Sequence, residues 1–270
     1  MLIDFHTHIF PEKIAQSTIN ALASKSGSTP YTDGTANGML DAMSRANADI
    51  CVTLPVLTKA TQFDSVTKFA ISINELFKSQ NIKLISFGGM HPECEDIDEK
   101  MRYLKEKGFK GVKIHPDYQN TYIDDAGYVQ ILKSAKKYDL IVVTHSGVDG
   151  AYLDQPVKCT PDRVLKLIRE VDHDKFVLAH YGAHKMWDEV CEKLAGKNVY
   201  FDTAYTLHEI SEVDFKAILN KHGADKILFA TDCPWRDIKD DLRIFKSFNL
   251  GAEIEQKILY KNALKLLGEI

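Results

Sequence analysis

The sequence predicts an α/β protein, a single (β/α)8 TIM barrel over residues 1–270, and three observations carry that expectation. Short β-branched and apolar runs alternate with longer stretches of 3.6-residue periodicity, the pattern of β-α units that feed a parallel sheet. Eight such runs occur in the chain, which at this length is the size of a closed barrel. The first run leads into H-T-H-I-F-P, and no G-x-G-x-x-G stands anywhere, so the phosphate loop of an open dinucleotide-binding sheet is missing.

Taken in order, the first strand runs from Leu2 to Phe5 and delivers the chain to His6 and His8. The second is Ile50 to Leu54 and the third Lys83 to Phe87, with a helix from Val66 to Lys78 headed by Asp64 between them. Asp96 heads the next helical stretch, Lys100 to Lys107. Gly108 ends it, because glycine takes a positive φ without a Cβ penalty. The fourth strand is Lys110 to Ile114 and the fifth Leu140 to Thr144, followed by Thr160 and Pro161 as an N-cap and first-turn proline. Phe176 to Ala179 and Val199 to Asp202 come next, and Gly223 precedes the eighth strand, Ile227 to Ala230. The amphipathic stretch from Glu253 to Leu267 is expected to close the ring.

Hydrophobic residues make up 44% of the chain and charged ones 27%, enough apolar surface for a full core without disulfides. Lys and Arg number 34 against 38 Asp and Glu, a formal charge of −4 with no basic block. That balance excludes an electrostatic grip on nucleic acid or on an anionic membrane, and a small molecule is the expected partner. Five cysteines without a C-x-x-C pair read as reduced thiols. Met1 is followed at once by an apolar run without the basic region of a signal peptide, and no apolar run is long enough to span a bilayer. A cytoplasmic protein is expected.

A parallel barrel builds its site at the carboxyl ends of its strands. Histidine stands there repeatedly: His6 and His8 after the first strand, His91 after the third, His115 after the fourth, His145 after the fifth and His180 after the sixth, with Asp232 after the eighth. Residues two apart share a face, which aims His6 and His8 together and puts His145 in phase with Val143 and Asp232 with Ala230. Three imidazoles and one carboxylate suit one divalent metal ion, Zn²⁺ first and Mn²⁺, Fe²⁺ or Co²⁺ next. The ion would acidify a water for attack, with Asp232 taking the proton and His180 polarising a carbonyl or protonating a leaving group. Lys113, His115, His91 and Trp235 are candidates for the substrate pocket. His173, His184, His208 and His222 are expected to be solvated or capping groups, and Cys233 a packed thiol turned from the metal.

The motifs D-F-H-T-H-I-F-P, G-V-K-I-H-P, V-T-H-S-G, L-A-H-Y-G, T-D-C-P-W and I-L-Y-K-N-A-L-K-L-L-G occur in that order along the whole chain. In them the sequence resembles the amidohydrolase superfamily, and within it the amidohydrolase-2 branch that includes aminocarboxymuconate-semialdehyde and γ-resorcylate decarboxylases. The resemblance implies one metal ion on His6, His8, His145 and Asp232, a catalytic His180 outside its coordination, and a homodimer. Binuclear members resemble this sequence at Lys113, where their lysine is carboxylated and bridges two metals. The branch uses one metal, so Lys113 is read as a grip on an anionic substrate group or as a plain ion pair. A TatD-like nuclease would carry a glutamate after strand four, where Lys113 and His115 stand instead. The expected activity is hydrolysis of an amide, ester or lactone of a small carboxylated substrate. The alternative is non-oxidative decarboxylation of a small aromatic or unsaturated acid. Hydrolysis is preferred because the branch's decarboxylases insert substrate-binding structure after strand one, which this sequence is expected to lack.

Overall fold

The computed structural model describes residues 1–78 and 82–269. Among them nine strands occur: β1 (Ile3–Thr7), β2 (Ile50–Thr53), β3 (Lys83–Ser86), β4 (Gly88–Gly89), β5 (Gly111–Ile114), β6 (Ile141–Thr144), β7 (Phe176–Leu178), β8 (Tyr200–Asp202) and β9 (Ile227–Leu228). The ladders are parallel, β1-β2-β3 in one sheet and β4 to β9 in order in the other. The expected third strand is thus split at Phe87, whose side chain turns into the barrel while its N–H still donates to the Thr53 carbonyl at 2.9 Å. β3 and β4 are two halves of one stave, and the ring has eight.

The seam lies between β1 and the chain after β9. There the Phe5 N–H donates to Phe229 O at 3.0 Å, and the Asp232 N–H to His6 O at 2.8 Å. An open doubly wound sheet would leave two free edges, so this closure decides for the barrel.

Alternation along the strands separates two apolar layers. Ile3 and Phe5, Ile50 and Val52, Ile141 and Val143, and Leu228 and Ala230 fill the interior. Leu84, Val112, Val142, Phe176, Phe201 and Ile227 face outward, against the helices. Phe5 and Phe87 meet edge to face in the interior at 6.0 Å, and each such buried side chain is worth about 2–3 kcal/mol.

The helix starts follow the sequence in part. Pro161–Glu170 opens on Thr160, whose hydroxyl accepts the Arg163 N–H at 3.4 Å, whereas Asp96 precedes Ile97–Glu106 in a left-handed conformation without a side-chain cap. Phe63–Phe77 takes Asp64 into its first turn. Between β1 and β2 stand two helices, Glu12–Ser26 and Ala36–Ala46; the first follows Pro11 directly and leans over the carboxyl mouth of the barrel, where Ile14, Thr18 and Leu22 line the cavity. The C-terminal stretch packs at the seam, where Lys257–Lys261 lies against β1 and β9 and the Phe229 N–H donates to Ile258 O at 2.9 Å, and it ends in the helix Asn262–Leu267. Its Ala263, Leu266 and Leu267 join the interior layer from below, and Asn262 donates to the carbonyls of Ala224 and Ile227. No helix among the described residues is long and apolar enough to cross a membrane.

Candidate metal centre

β1 runs two residues further than expected, so His6 lies within it and His8 just past its end. Each imidazole is held by its Nδ1–H. His6 donates to Asp202 Oδ2 at 2.9 Å and His8 to the Leu54 carbonyl at 2.8 Å. That leaves both Nε2 lone pairs facing the mouth, where they meet Asp232 Oδ1 at 3.5 and 3.0 Å. Burial, and then the charge of Lys113, hold His6 well below the ordinary imidazole range. Burial pushes the Asp232 carboxyl up, but the imidazoles of His6 and His8 outweigh it and hold the group at about 2. Asp232 Oδ1 is buried and has no hydrogen-bond partner among the described residues. Two nitrogen lone pairs and one carboxylate oxygen are acceptors only, and a divalent cation fits between them.

The backbone is strained where it delivers the site. Asp232 has φ 71° and His180 φ 61°, left-handed values that cost a non-glycine residue roughly 1 kcal/mol each. Hydrogen bonds hold both, the Asp232 N–H on His6 O at 2.8 Å and the His180 N–H on Asp202 Oδ1 at 3.0 Å.

The fourth expected ligand, His145, is not gathered with the other three. His180 Nδ1–H donates to the Ala204 carbonyl at 2.8 Å, so its Nε2 accepts, and His145 Nδ1–H supplies that bond at 2.9 Å. This relay turns His145 Nε2 away from the triad, toward Asp117 Oδ2 at 3.8 Å and Asp149 Oδ2 at 4.0 Å. Burial lowers both rings, His145 well below its ordinary range and His180 to about 4. His115 is stacked between Tyr118 and His145, with centroids 4.0 and 4.3 Å away. Its Nδ1 accepts the Tyr118 N–H, so its Nε2 carries the proton and points it at Asp149 Oδ2, 3.4 Å off. His115, His145 and Asp149 make a second group, with one nitrogen or oxygen of each within 4.8 Å of the others, where burial raises the Asp149 carboxyl and lifts that of Asp117 to about 6.

Lys113 reaches in from β5 and is 1% exposed. Its ammonium donates to His6 Nε2 at 3.1 Å, and burial lowers it to about 8. Lys113, His115 and Trp235 line a cavity of about 650 Å³ together with Phe10, Ile14 and Phe69. His91 does not. Its Nδ1 accepts the Glu93 N–H in the turn after β4, so the substrate role expected of it is corrected.

Sequence reasoning missed four residues. Asp202 joins His6 to His180; Asp117 and Asp149 face His145; and His184, expected to be solvated or capping, is buried and lines the cavity, its Nε2 2.8 Å from Glu209. Asp202 left a signal, since it closes a strand at the carboxyl mouth. Of the remaining histidines, His173 is buried on the Leu140 carbonyl and His222 stacks on Phe201.

A family model described as amidohydrolase (Amidohydro_2) matches residues 3–268. Among solved structures the chain is similar to 2,6-dihydroxybenzoate decarboxylase from Rhizobium, with 16% identity, coverage of 99% of this chain and 98% of that one, and TM-score 0.70. It is similar to dihydroxybenzoic acid decarboxylase from Polaromonas sp. JS666 with bound manganese and 2-nitroresorcinol, at 16% identity, 99% and 96% coverage and TM-score 0.73. It also resembles 5-carboxyvanillate decarboxylase from Sphingomonas paucimobilis, at 14% identity, 99% and 98% coverage and TM-score 0.70. No curated protein sequence matches the chain.

Proposed function

The chain belongs to the amidohydrolase family, and from that premise we propose that it is a metal-dependent carboxy-lyase, removing carbon dioxide without oxidation from a small aromatic or unsaturated carboxylic acid. The observation that carries this reading is the cavity. His6, His8 and Asp232 form its floor, and its walls are largely aromatic and apolar, with Phe10, Ile14, Leu22, Phe69, Tyr118 and Trp235. The helix after β1 adds Ile14 and Leu22 to those walls. The likeness to dihydroxybenzoate and carboxyvanillate decarboxylases over nearly their whole length supports the same reading.

His6, His8 and Asp232 would hold a divalent cation, which would supply a positive centre for the substrate oxygens. Zn²⁺ and Mn²⁺ both suit that donor set. Around it, the apolar walls exclude water from a carboxylate that leaves as neutral carbon dioxide, and Lys113 balances negative charge at the floor. The departing group must be replaced on carbon by a proton. Asp232 and His180 both line the cavity and are the groups placed to relay that proton.

Hydrolysis of an amide, ester or lactone is the second reading. It is favoured by the unpartnered Asp232 Oδ1, which is placed to take a proton from an attacking water. The two separate cleanly. The metal-loaded protein is incubated in ¹⁸O-water with hydroxylated benzoates and, separately, with small lactones and amides. Carbon dioxide release with no solvent oxygen in the organic product supports the carboxy-lyase; ring opening or amide cleavage with ¹⁸O uptake and no carbon dioxide overturns it.

A further inference from the structure

Asp202 closes β8, is fully buried, and uses both carboxylate oxygens on different parts of the site. Oδ2 accepts His6 Nδ1–H at 2.9 Å; Oδ1 accepts the backbone N–H groups of His180 at 3.0 Å and Ala204 at 3.1 Å. The Ala204 carbonyl then takes His180 Nδ1–H at 2.8 Å. One side chain thus touches the imidazole on β1 and the strained backbone that carries the imidazole after β7.

We propose that Asp202 is a positioning residue that locks His6 in the Nδ1–H tautomer, with its Nε2 lone pair on the cation, while its other oxygen holds His180 in register. This rests on the reading of His6, His8 and Asp232 as cation ligands. A neutral imidazole has one proton, and an ionised carboxylate can only accept, so the Nδ1 side must bear it. Lys113 agrees from the opposite side: its ammonium has donors only, and it meets His6 Nε2 at 3.1 Å, where the lone pair must therefore be. A cation at the site would be held through that same His6 Nε2 lone pair.

Asp202→Asn changes the chemistry with little change of shape. The amide oxygen stays on Oδ1's side, because turning it round would set an NH₂ group against the N–H groups of His180 and Ala204. The NH₂ then faces His6 Nδ1, which must give up its proton, and the proton moves to Nε2, toward the cation. The expected result is a 10–100-fold loss of Mn²⁺ or Zn²⁺ affinity in competition with a chelating dye, with the metal-free melting temperature almost unchanged. Two-bond ¹H–¹⁵N spectra of the metal-free protein, with His6 assigned by its loss in His6→Gln, should show Nδ1–H in the parent and Nε2–H in the variant.

Unchanged metal affinity together with a retained Nδ1–H in Asp202→Asn overturns the proposal. So does an Nε2–H tautomer in the parent, a measurement that needs no variant to fold. If the parent binds neither Mn²⁺ nor Zn²⁺, the cation reading fails by itself, and the tautomer spectra still decide whether Asp202 orients His6.

Discussion

At the level of single residues, three acceptors define the centre, His6 Nε2, His8 Nε2 and Asp232 Oδ1, with the Lys113 ammonium beside the first of them, and removing any one acceptor should empty it. His6→Ala and Asp232→Asn are expected to purify without metal in elemental analysis when the parent carries it. His145→Gln should weaken binding about 10–100-fold, as expected of a group that acts through His180 from outside the coordination sphere. Loss as complete as in Asp232→Asn would put His145 among the ligands instead. His6 and His8 were legible in the sequence because strand alternation fixes which way they point; Asp232 stands four residues past β9 at φ 71°, and its N–H on His6 O, not alternation, brings it to them. The direction of His145 was not. It depends on a hydrogen-bond chain through His180 to the Ala204 carbonyl, and no local pattern in the sequence encodes that chain.

Among elements, the loops after β6 and β7 carry His145 and His184 and are fastened to each other by main chain. Gly147 lies at φ +86°, and a Cβ placed on it would sit 2.1 Å from His184 N. The His184 N–H donates to Ser146 O at 2.9 Å, and the Val148 N–H to His184 O at 3.0 Å. Gly147→Ala therefore combines an unfavourable φ with a backbone clash and should destabilise by about 3 kcal/mol or more, read from urea midpoints. The same two loops meet Glu209, whose carboxyl the His184 hydrogen bond holds down at about 2. A depressed carboxyl stabilises the fold above its unfolded pKa, near 4.5, and loses that contribution as pH falls toward 2. Glu209→Gln should then lie about 1–3 kcal/mol below the parent at pH 7, and the two midpoints should converge between pH 4.5 and about 2. Strand positions were largely readable from β-branched runs. Two departures were not: the break at Phe87, where one apolar side chain serves the interior between two short ladders, and the way the first helix after β1 leans over the mouth.

For the molecule as a whole, the barrel could be recognised from its eight alternating units, but its seam could not, because closure joins residues far apart in the chain. The candidate centre sits on that seam. His6 and His8 belong to the first stave and Asp232 follows the last, so a bound cation fastens the closure that Phe5 and Phe229 begin. Free metal at about a thousand times its Kd should add about 4 kcal/mol, or on the order of 10 °C in Tm, with EDTA reversing the gain. Scanning calorimetry of metal-free and Mn²⁺-loaded protein checks this. The same placement has a consequence during synthesis. With His6, His8 and Asp232 as the ligands, a growing polypeptide would lack the carboxylate until Asp232 had cleared the ribosomal exit, and the centre would be completed only near the end of synthesis.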